Sequence, residues 1–400
     1  MFPVGSARFS DGETVGRSEH DMGDEQYDQE RAPGEAAPGE ASPEQMDACR
    51  RQIDHIDQQI IELLDQRAQV ARHIGRIKRN AGREVFDAGR HIEKLNRIAR
   101  RGSGDFPIDG LRLVFGEILS SCLVLQEPQK VAYLGPEATF SHIAAVRTFG
   151  RSVEYRSCSS IHEIFESVEK EWMHFGLVPI ENSTGGVVHT TLDELMSSRL
   201  LICAEIHIPV HHHLMCRGPK EKIQKVCTHP QILSQCRDWL RTNLAEAALV
   251  ETPSSAAGAR LAQQEDAIAV IGPELAAKIY DLPIRVRRIE DVGDNITRFL
   301  VIGHQSPRPS GQDKTSIMFS IKDEPGALKR LLTPFSDRGI NLTKIESRPS
   351  RQRAWDYIFF VDMKGHMADP PIVEALEQMK PHTTFLRVLG SYPIDTYAAQ

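Results

Sequence analysis

Between Met46 and Ile77, apolar side chains recur at spacings of three and four: Met46, Cys49, Ile53, Ile56, Ile60, Leu63, Val70, Ile74 and Ile77, with one gap at Arg67. Only a long amphipathic helix gathers those positions into one stripe, and the stripe runs close to the coiled-coil period. Ser42-Pro43-Glu44 is a suitable helix start. Two shorter helical stretches follow, around 88–101 and 108–126, parted by the GSGDFP turn at 102–107. Residues 46–127 are therefore expected to form an all-helical module.

The 400 residues exceed one ordinary core and predict several domains. The longest apolar runs, such as AIAVIG at 267–272, are far too short to cross a bilayer, so no membrane span is expected. Residues 1–45 hold eleven Asp/Glu and three Arg, so they carry −8 and leave the remainder at +1 against a total of −7. That segment has almost no aliphatic side chains and is expected to be a disordered acidic tail. The nearly neutral body offers no broad basic face, which excludes nucleic acid as a partner and leaves charged substrates to local clusters. Seven cysteines (49, 122, 158, 203, 216, 227 and 236) form no CxxC pair. Their odd, scattered count fits reduced thiols, and the N-terminus has no apolar core of a signal peptide, so the expected compartment is the cytoplasm.

From Lys130 the pattern becomes α/β. VAYL (131–134) runs into GPEATFSH, GLVPI (176–180) into ENSTGG, and the apolar run at 268–271 into GPELAA. Short apolar runs that break into small or polar residues before a helical pattern read as buried strands of a mostly parallel sheet. After a linker at 304–312, the segments 315–322, 326–337, 341–347, 356–363, 370–379 and 384–389 read β-α-β-β-α-β, the ferredoxin-like plan. Three folded domains are expected, at 46–127, 130–303 and 313–393, with a C-terminal tail at 394–400.

Arg67 occupies the seam position between Ile60 and Ile74, where a cation faces a bundle interior and must find a partner. Arg50 and Lys78 lie beside the seam, four heptads apart, which is roughly 42 Å of helix, whereas Arg67 and Lys78 are about 16 Å apart. Arg50 therefore joins the other two around one small ligand only from a second chain. This predicts an intertwined dimer with two anion sites. The alternative, cations snorkelling at a bundle surface, accounts for Arg50 and Lys78 but poorly for Arg67.

The string RRQIDHIDQQIIELLDQRAQVARHIGRIKR, followed by VFDAGR, resembles an AroQ-type chorismate mutase over about residues 46–127. The resemblance implies an active site of Arg50, Arg67, Lys78, Asp87, Arg90 and Gln126, with one arginine crossing to the partner's site. Two positions depart from the family pattern: His91 stands where Glu is usual, and Cys122 where Ser is common. The implied reaction is a unimolecular rearrangement that needs no nucleophile. Arginines would clamp two carboxylates in the compact conformer, and Lys78 and Gln126 would stabilise charge on the breaking ether oxygen.

In the central region, the sheet ends gather Thr139, Ser141 and His142; Glu181, Asn182, Ser183 and Thr184; Thr297 and Arg298; and, from the THPQ turn, Thr228 and Gln235. By themselves these indicate a polar small-molecule cleft. VAYLGPEATFSHIAA, VPIENSTGGVVHTTLDEL, THPQILSQC and NITRFLVIG resemble the successive signature blocks of prephenate dehydratase, in order across 130–303. That family has a two-lobed fold similar to type II periplasmic binding proteins. The resemblance implies Thr297 as the favoured catalytic group, with Glu181 and Asn182 positioning it or the substrate. Thr139, Ser141, Ser183, Thr228, Gln235, Arg298 and Phe299 would complete the substrate site. Loss of the ring hydroxyl and carboxylate aromatises the ring, so the site needs mainly a proton donor. No coenzyme is implied. The histidines of HIPVHHHLMC (207–216) are read as interlobe packing rather than a metal site.

DEPGALKRLLTPFSDRGINLTKIESRP (323–349) resembles the ACT domain of the dehydratase family. The resemblance implies a phenylalanine site lined by Gly326, Ala327, Leu328, Asn341, Glu346, Ser347, Arg348 and Pro349, and feedback inhibition by that amino acid. Three alternatives stay open on the sequence: a mutase module kept only for dimerisation, arogenate as the dehydratase substrate, and a non-catalytic amino-acid sensor.

Overall fold

The computed structural model describes residues 43–81, 86, 87, 90, 91, 94, 95, 97, 98, 104–321, 324–349 and 357–395. The expected disordered tail lies outside them except for Pro43–Gln45, which open the first helix, and so does most of the expected C-terminal tail. The chain divides into two compact units, residues 1–59 and 60–400.

Helix α1 spans Pro43–Asn80, with Glu44 in its first turn and Lys78 and Arg79 in its last, each favourable to the helix dipole. Its described portion in the first unit is Pro43–Gln59. Beyond Gln59 the covered positions are Arg67, Ala68, Ala71, Ile74, Gly75 and Lys78. Ile60, Leu63, Val70 and Ile77 are exposed instead. The apolar stripe thus forms the expected helix, but apart from Ile74 it is not what this chain covers beyond Gln59. What α1 presents to α2 (Ile108–Val124) is narrow: Arg67 Nη1 donates to the Ile118 carbonyl at 3.3 Å. Just past α2, a Cβ added to Gly75 would lie 2.8 Å from the Gln126 Cα, so the close approach requires glycine. Residues 90, 91, 94, 95, 97 and 98 are helical, as expected for that stretch.

The next region has two sheets. The first has the order β2-β1-β3-β11-β5, with β1 Lys130–Leu134, β2 Glu154–Cys158, β3 Phe175–Asn182, β5 Leu201–Pro209 and β11 Ile296–Gly303, and the short β4 (Gly186–Val187) pairs with the end of β3. Strand β1 runs parallel to β2 and β3, while β11 is antiparallel to both β3 and β5. The chain leaves this sheet after β5, builds the second lobe, and returns as β11 between β3 and β5. That insertion is what sets Thr297 opposite Asn182 although 115 residues separate them. The second lobe is a sheet of order β10-β6-β9-β7-β8, with β6 His213–Met215, β7 Lys225–Thr228, β8 Ala248–Glu251, β9 Ile268–Gly272 and β10 Ile284–Val286. All five residues of β9 are buried, as a central strand covered on both faces requires.

The last region is β12 (Asp313–Ile321), α3 (Ala327–Asp337), β13 (Leu342–Pro349), β14 (Tyr357–Lys364), α4 (Pro370–Met379) and β15 (Thr383–Pro393). Its antiparallel sheet has the order β13-β14-β12-β15, the ferredoxin-like arrangement. One face of this sheet buries Ile317 and Phe319 with Leu331 and Phe335 of α3 and Ile372 and Leu376 of α4. Met318, Ile358, Phe360, Leu389 and Tyr392 share a core with Leu192, Leu195, Ile202 and Leu300 of the first lobe. A Cβ at Gly390 would collide with the Ile202 backbone, so the two sheets meet at van der Waals range there.

Candidate active sites and their regulatory neighbour

At the end of β3, the Asn182 side chain is held by five groups. Its Oδ1 accepts from Thr184 N (3.1 Å), Thr184 Oγ1 (2.8 Å) and Gly185 N (2.7 Å). Two backbone N–H groups can only meet the carbonyl oxygen, which fixes the amide orientation. The Nδ2 therefore donates, to Asn295 Oδ1 at 2.7 Å and to Thr297 Oγ1 at 2.8 Å. With Asn182 as its donor, the Thr297 oxygen acts as acceptor, and its own O–H is left to donate to a third group. Ser183 stitches the turn to β11 by accepting from Ile296 N at 2.9 Å.

The other residues expected at this site have different surroundings. Phe299 is 2% exposed and belongs to the first lobe's core, so it is no substrate contact. Thr228 is fully buried and donates to the Ile271 carbonyl at 2.6 Å. Thr139 caps a helix (Phe140–Phe149), accepting from His142 N and donating to the Pro136 carbonyl at 3.0 Å, and Ser141 is buried in that helix's first turn. Gln235 Oε1 meets His212 Nε2 at 2.7 Å where the chain crosses between lobes. His211 pairs with Glu290 at 2.8 Å, and His213 Nδ1 accepts from Arg288 N. These histidines thus pack the crossing segments, and the described residues hold no group of three metal-capable side chains.

Arg298 and Glu181 also depart from expectation. Consecutive strand residues point to opposite faces, so the neighbours of Thr297 and Asn182 turn toward the last domain. Arg298, 8% exposed, donates from Nε to Glu205 (2.8 Å), from Nη1 to Asp362 (2.7 Å) and from Nη2 to Tyr392 (3.1 Å). Lys314 Nζ joins Glu205 at 2.7 Å. Burial disfavours the charged guanidinium, but Tyr392, Asp362 and Glu205 outweigh it and hold its pKa above normal. Arg298 is thus an interdomain anchor rather than a substrate clamp. Glu181 pairs with Lys344 Nζ at 2.7 Å.

Burial works against the charged form of Asp362 as well, yet Arg298, Ser316 and Lys314 hold its carboxyl below the usual range. A group with a depressed folded pKa stabilises the fold fully above its unfolded value and loses that contribution as pH falls toward the folded one. Asp362→Ala is expected to cost about 3–5 kcal/mol at neutral pH, because it strands the Arg298 charge. Thermal melts of wild type and variant check this: the gap between them should narrow below about pH 4.

The helical module brings together most of its expected set. Lys78, Asp87, His91 and Gln126 are half-buried, Cys122 is buried, and Arg90 is exposed. Asp87 Oδ1 accepts from Arg90 N at 3.1 Å, and Gln126 Nε2 donates to the Cys122 carbonyl at 3.1 Å. Burial, then Arg90, pushes the Lys78 pKa down, with Asp87 opposing and Arg308 adding to the shift. Burial, then Arg67 and Arg90, does the same to Lys94, one helical turn after Arg90. Cations that depress one another leave a site that favours anions. Lys94 was not expected; its spacing of four from Arg90 was the available signal. Arg50, in the first unit, is largely exposed and pairs with Asp47 at 3.2 Å.

Burial and then Lys94 push the His91 imidazole down to about 4. It is therefore neutral from about pH 5 upward and can accept or donate a hydrogen bond there. Turnover at this module, as kcat/KM, is expected to lack a His91 inflection between about pH 6 and 7. Parallel profiles for wild type and His91→Asn in that range would agree; an inflection removed by the substitution would not.

In the last domain, Gly326 adopts φ +78°, a left-handed geometry that favours glycine, immediately before α3. Ala327 is buried behind it, and Leu328 is half-buried. The Asn341 carbonyl accepts from Lys364 N at 2.9 Å. Along β13, Glu346 and Arg348 are half-buried while Ser347 and Pro349 are exposed. Arg348 is engaged by Asp193 at 2.6 Å.

A family model described as Prephenate dehydratase matches residues 131–307, one described as Chorismate mutase type II matches 49–127, and one described as ACT domain matches 315–380. The bifunctional chorismate mutase/prephenate dehydratase of Aquifex aeolicus is 44% identical over 88% of this chain and 98% of its own. The enzyme of the same name from Pseudomonas aeruginosa is 40% identical over 88% of this chain and 98% of its own. Among solved structures, the prephenate dehydratase of Arthrobacter aurescens in complex with L-Phe is 32% identical, with a TM-score of 0.61, over 66% of this chain and 90% of that one. With the Asn182–Thr297 pair and the cation cluster at Lys78 in place, the chain belongs to the bifunctional chorismate mutase/prephenate dehydratase family.

Proposed function

We propose that this protein converts chorismate to prephenate at the helical module and prephenate to phenylpyruvate, water and CO2 at the end of β3 and β11. The observation that carries the second step is the donated hydrogen bond from Asn182 to Thr297. It orients the Thr297 hydroxyl as donor to the leaving ring hydroxyl. Electrons from the breaking bond to the ring carboxylate complete the aromatic ring as CO2 leaves; the departing hydroxyl takes a proton through the Thr297 hydroxyl, which solvent replaces, and leaves as water, so no nucleophile is required. In the first step the module's cations would hold the two carboxylates in the reactive conformer, and Lys78 would neutralise the ether oxygen.

The working form is read as a homodimer. Met46, Ile53, Ile56, Ile60, Leu63, Val70 and Ile77 are each exposed on the described chain, as are Leu113 and Val114, and a second copy would cover such residues. That copy would also supply Arg50, which stands four heptads of sequence before Lys78. The seven free cysteines suit a reducing, cytoplasmic setting. No helix among the described residues is long and apolar enough to cross a membrane.

The Phe-bound relative and the left-handed turn at Gly326 support phenylalanine as a feedback inhibitor acting through the last domain. Prephenate turnover by the purified chain, followed as phenylpyruvate with and without L-phenylalanine, tests this reading. Turnover that falls to a plateau as phenylalanine saturates supports it. Turnover that ignores phenylalanine refutes the regulatory part, and no turnover refutes the dehydratase.

A further inference from the structure

Two cations four residues apart on β13 grip the two ends of one catalytic segment. Lys344 Nζ lies 2.7 Å from Glu181, the residue before Asn182. Arg348 Nη2 lies 2.6 Å from Asp193, in the helix His189–Ser197 that follows the Asn182–Val188 turn. Between those two grips lie Asn182, Ser183, Thr184 and Gly185, the groups that set the Asn182 amide. Thr297 is held by a different strand of the same sheet: its neighbour Arg298 is anchored to Asp362 on β14 and to Glu205 on β5. The Asn182 segment thus meets the last domain through β13 and the neighbour of Thr297 meets it through β14, on two strands that also pair directly and share an Arg298–Glu181 contact of 4.0 Å.

The two anchors differ in strength. Arg298, Glu205 and Asp362 are buried, and such an ion-pair set is costly to break. The Glu181 side chain is 39% exposed, so water competes for its pair with Lys344. A ligand that moves β13 would draw the Asn182 segment with it through these pairs, while the buried set holds β11 in place.

We infer that β13 is the transmitting element of feedback inhibition, with the Lys344–Glu181 and Arg348–Asp193 pairs coupling effector binding to the Asn182–Thr297 geometry. This rests on the reading above that phenylalanine binds beside Glu346–Pro349 and that Thr297 serves the dehydration. Lys344 touches no reacting atom in this account; it is a positioning residue. A shift of β13 by the effector pulls Asn182 from Thr297, and the hydroxyl loses the donor that orients it. Coupling free energies between sites commonly correspond to about 5–150-fold effects, and one strand held at two points is a physical path for such a coupling.

The test uses full-length Lys344→Met, Lys344→Arg and Asp193→Asn, each assayed for prephenate turnover across a phenylalanine titration. Phenylalanine binding is measured separately by equilibrium dialysis with labelled amino acid. Lys344→Met is expected to keep basal turnover and phenylalanine affinity within about threefold, and to raise residual activity at saturating phenylalanine at least about fivefold. Lys344→Arg keeps the charge and is expected to restore inhibition. Asp193→Asn, which loosens the other end, is expected to shift the same readout in the same direction. It also supplies the answer if Lys344→Met fails to fold. Variants that bind phenylalanine and are inhibited like wild type would overturn the inference while leaving the effector reading intact. A wild type that turns prephenate over without binding phenylalanine would remove both.

Discussion

Thr297→Ala is expected to lower prephenate turnover by about 10²–10⁴-fold while chorismate consumption stays at the wild-type rate. The hydroxyl is fixed by one donor, Asn182, whose own carboxamide is held by Thr184, Gly185 and Asn295. Removing Oγ1 deletes the proposed hydrogen bond to the leaving hydroxyl and leaves the Asn182 amide with one partner fewer. The fall is expected in kcat more than in KM, since the bond to the leaving oxygen strengthens only as the C–O bond breaks. Thr297→Ser keeps the hydroxyl and is expected to retain far more activity than the alanine variant. Equal losses in both would show that the methyl group, and hence packing, was the important feature.

The second large effect is expected in the other module. Lys78→Ala should slow chorismate rearrangement by about 10²–10³-fold, the scale of one preorganised charge facing a developing oxyanion. Prephenate turnover should be untouched, because α1 and the β3–β11 pair share no residue. Burial and Arg90 depress the Lys78 pKa, so an arriving dicarboxylate relieves repulsion already present among the cations. Steady-state kinetics on chorismate check the size of the effect. A change confined to KM would assign Lys78 to ground-state binding instead.

Much of this was legible in the residue order. The three-four repeat of Met46–Ile77 specified α1, and β-α-β-β-α-β specified the last sheet, because both periodicities are local. Asn182 and Thr297 were legible as strand-end polar groups. What could not be read was which face of each strand meets which domain. Arg298 read as a substrate ligand and Glu181 as a group positioning the substrate or Thr297, yet strand alternation turns both toward β14 and β13. Lys344 gave no signal, since its partner lies 163 residues earlier and only the docking of two sheets unites them. Asn295 was visible in NITRF but has meaning only once β11 is inserted beside β3. On α1, the apolar seam was readable as a helix stripe, but a chain alone cannot say whether its own α2 or a second copy covers it.

The measurement that bears most directly on the account is chorismate consumption by the purified chain, with prephenate and phenylpyruvate followed separately. Chorismate is expected to disappear, with prephenate rising first and phenylpyruvate following, and phenylpyruvate alone is expected to be lost in Thr297→Ala. Chorismate left untouched while supplied prephenate is converted would contradict it, and would leave the helical module with assembly as its only role.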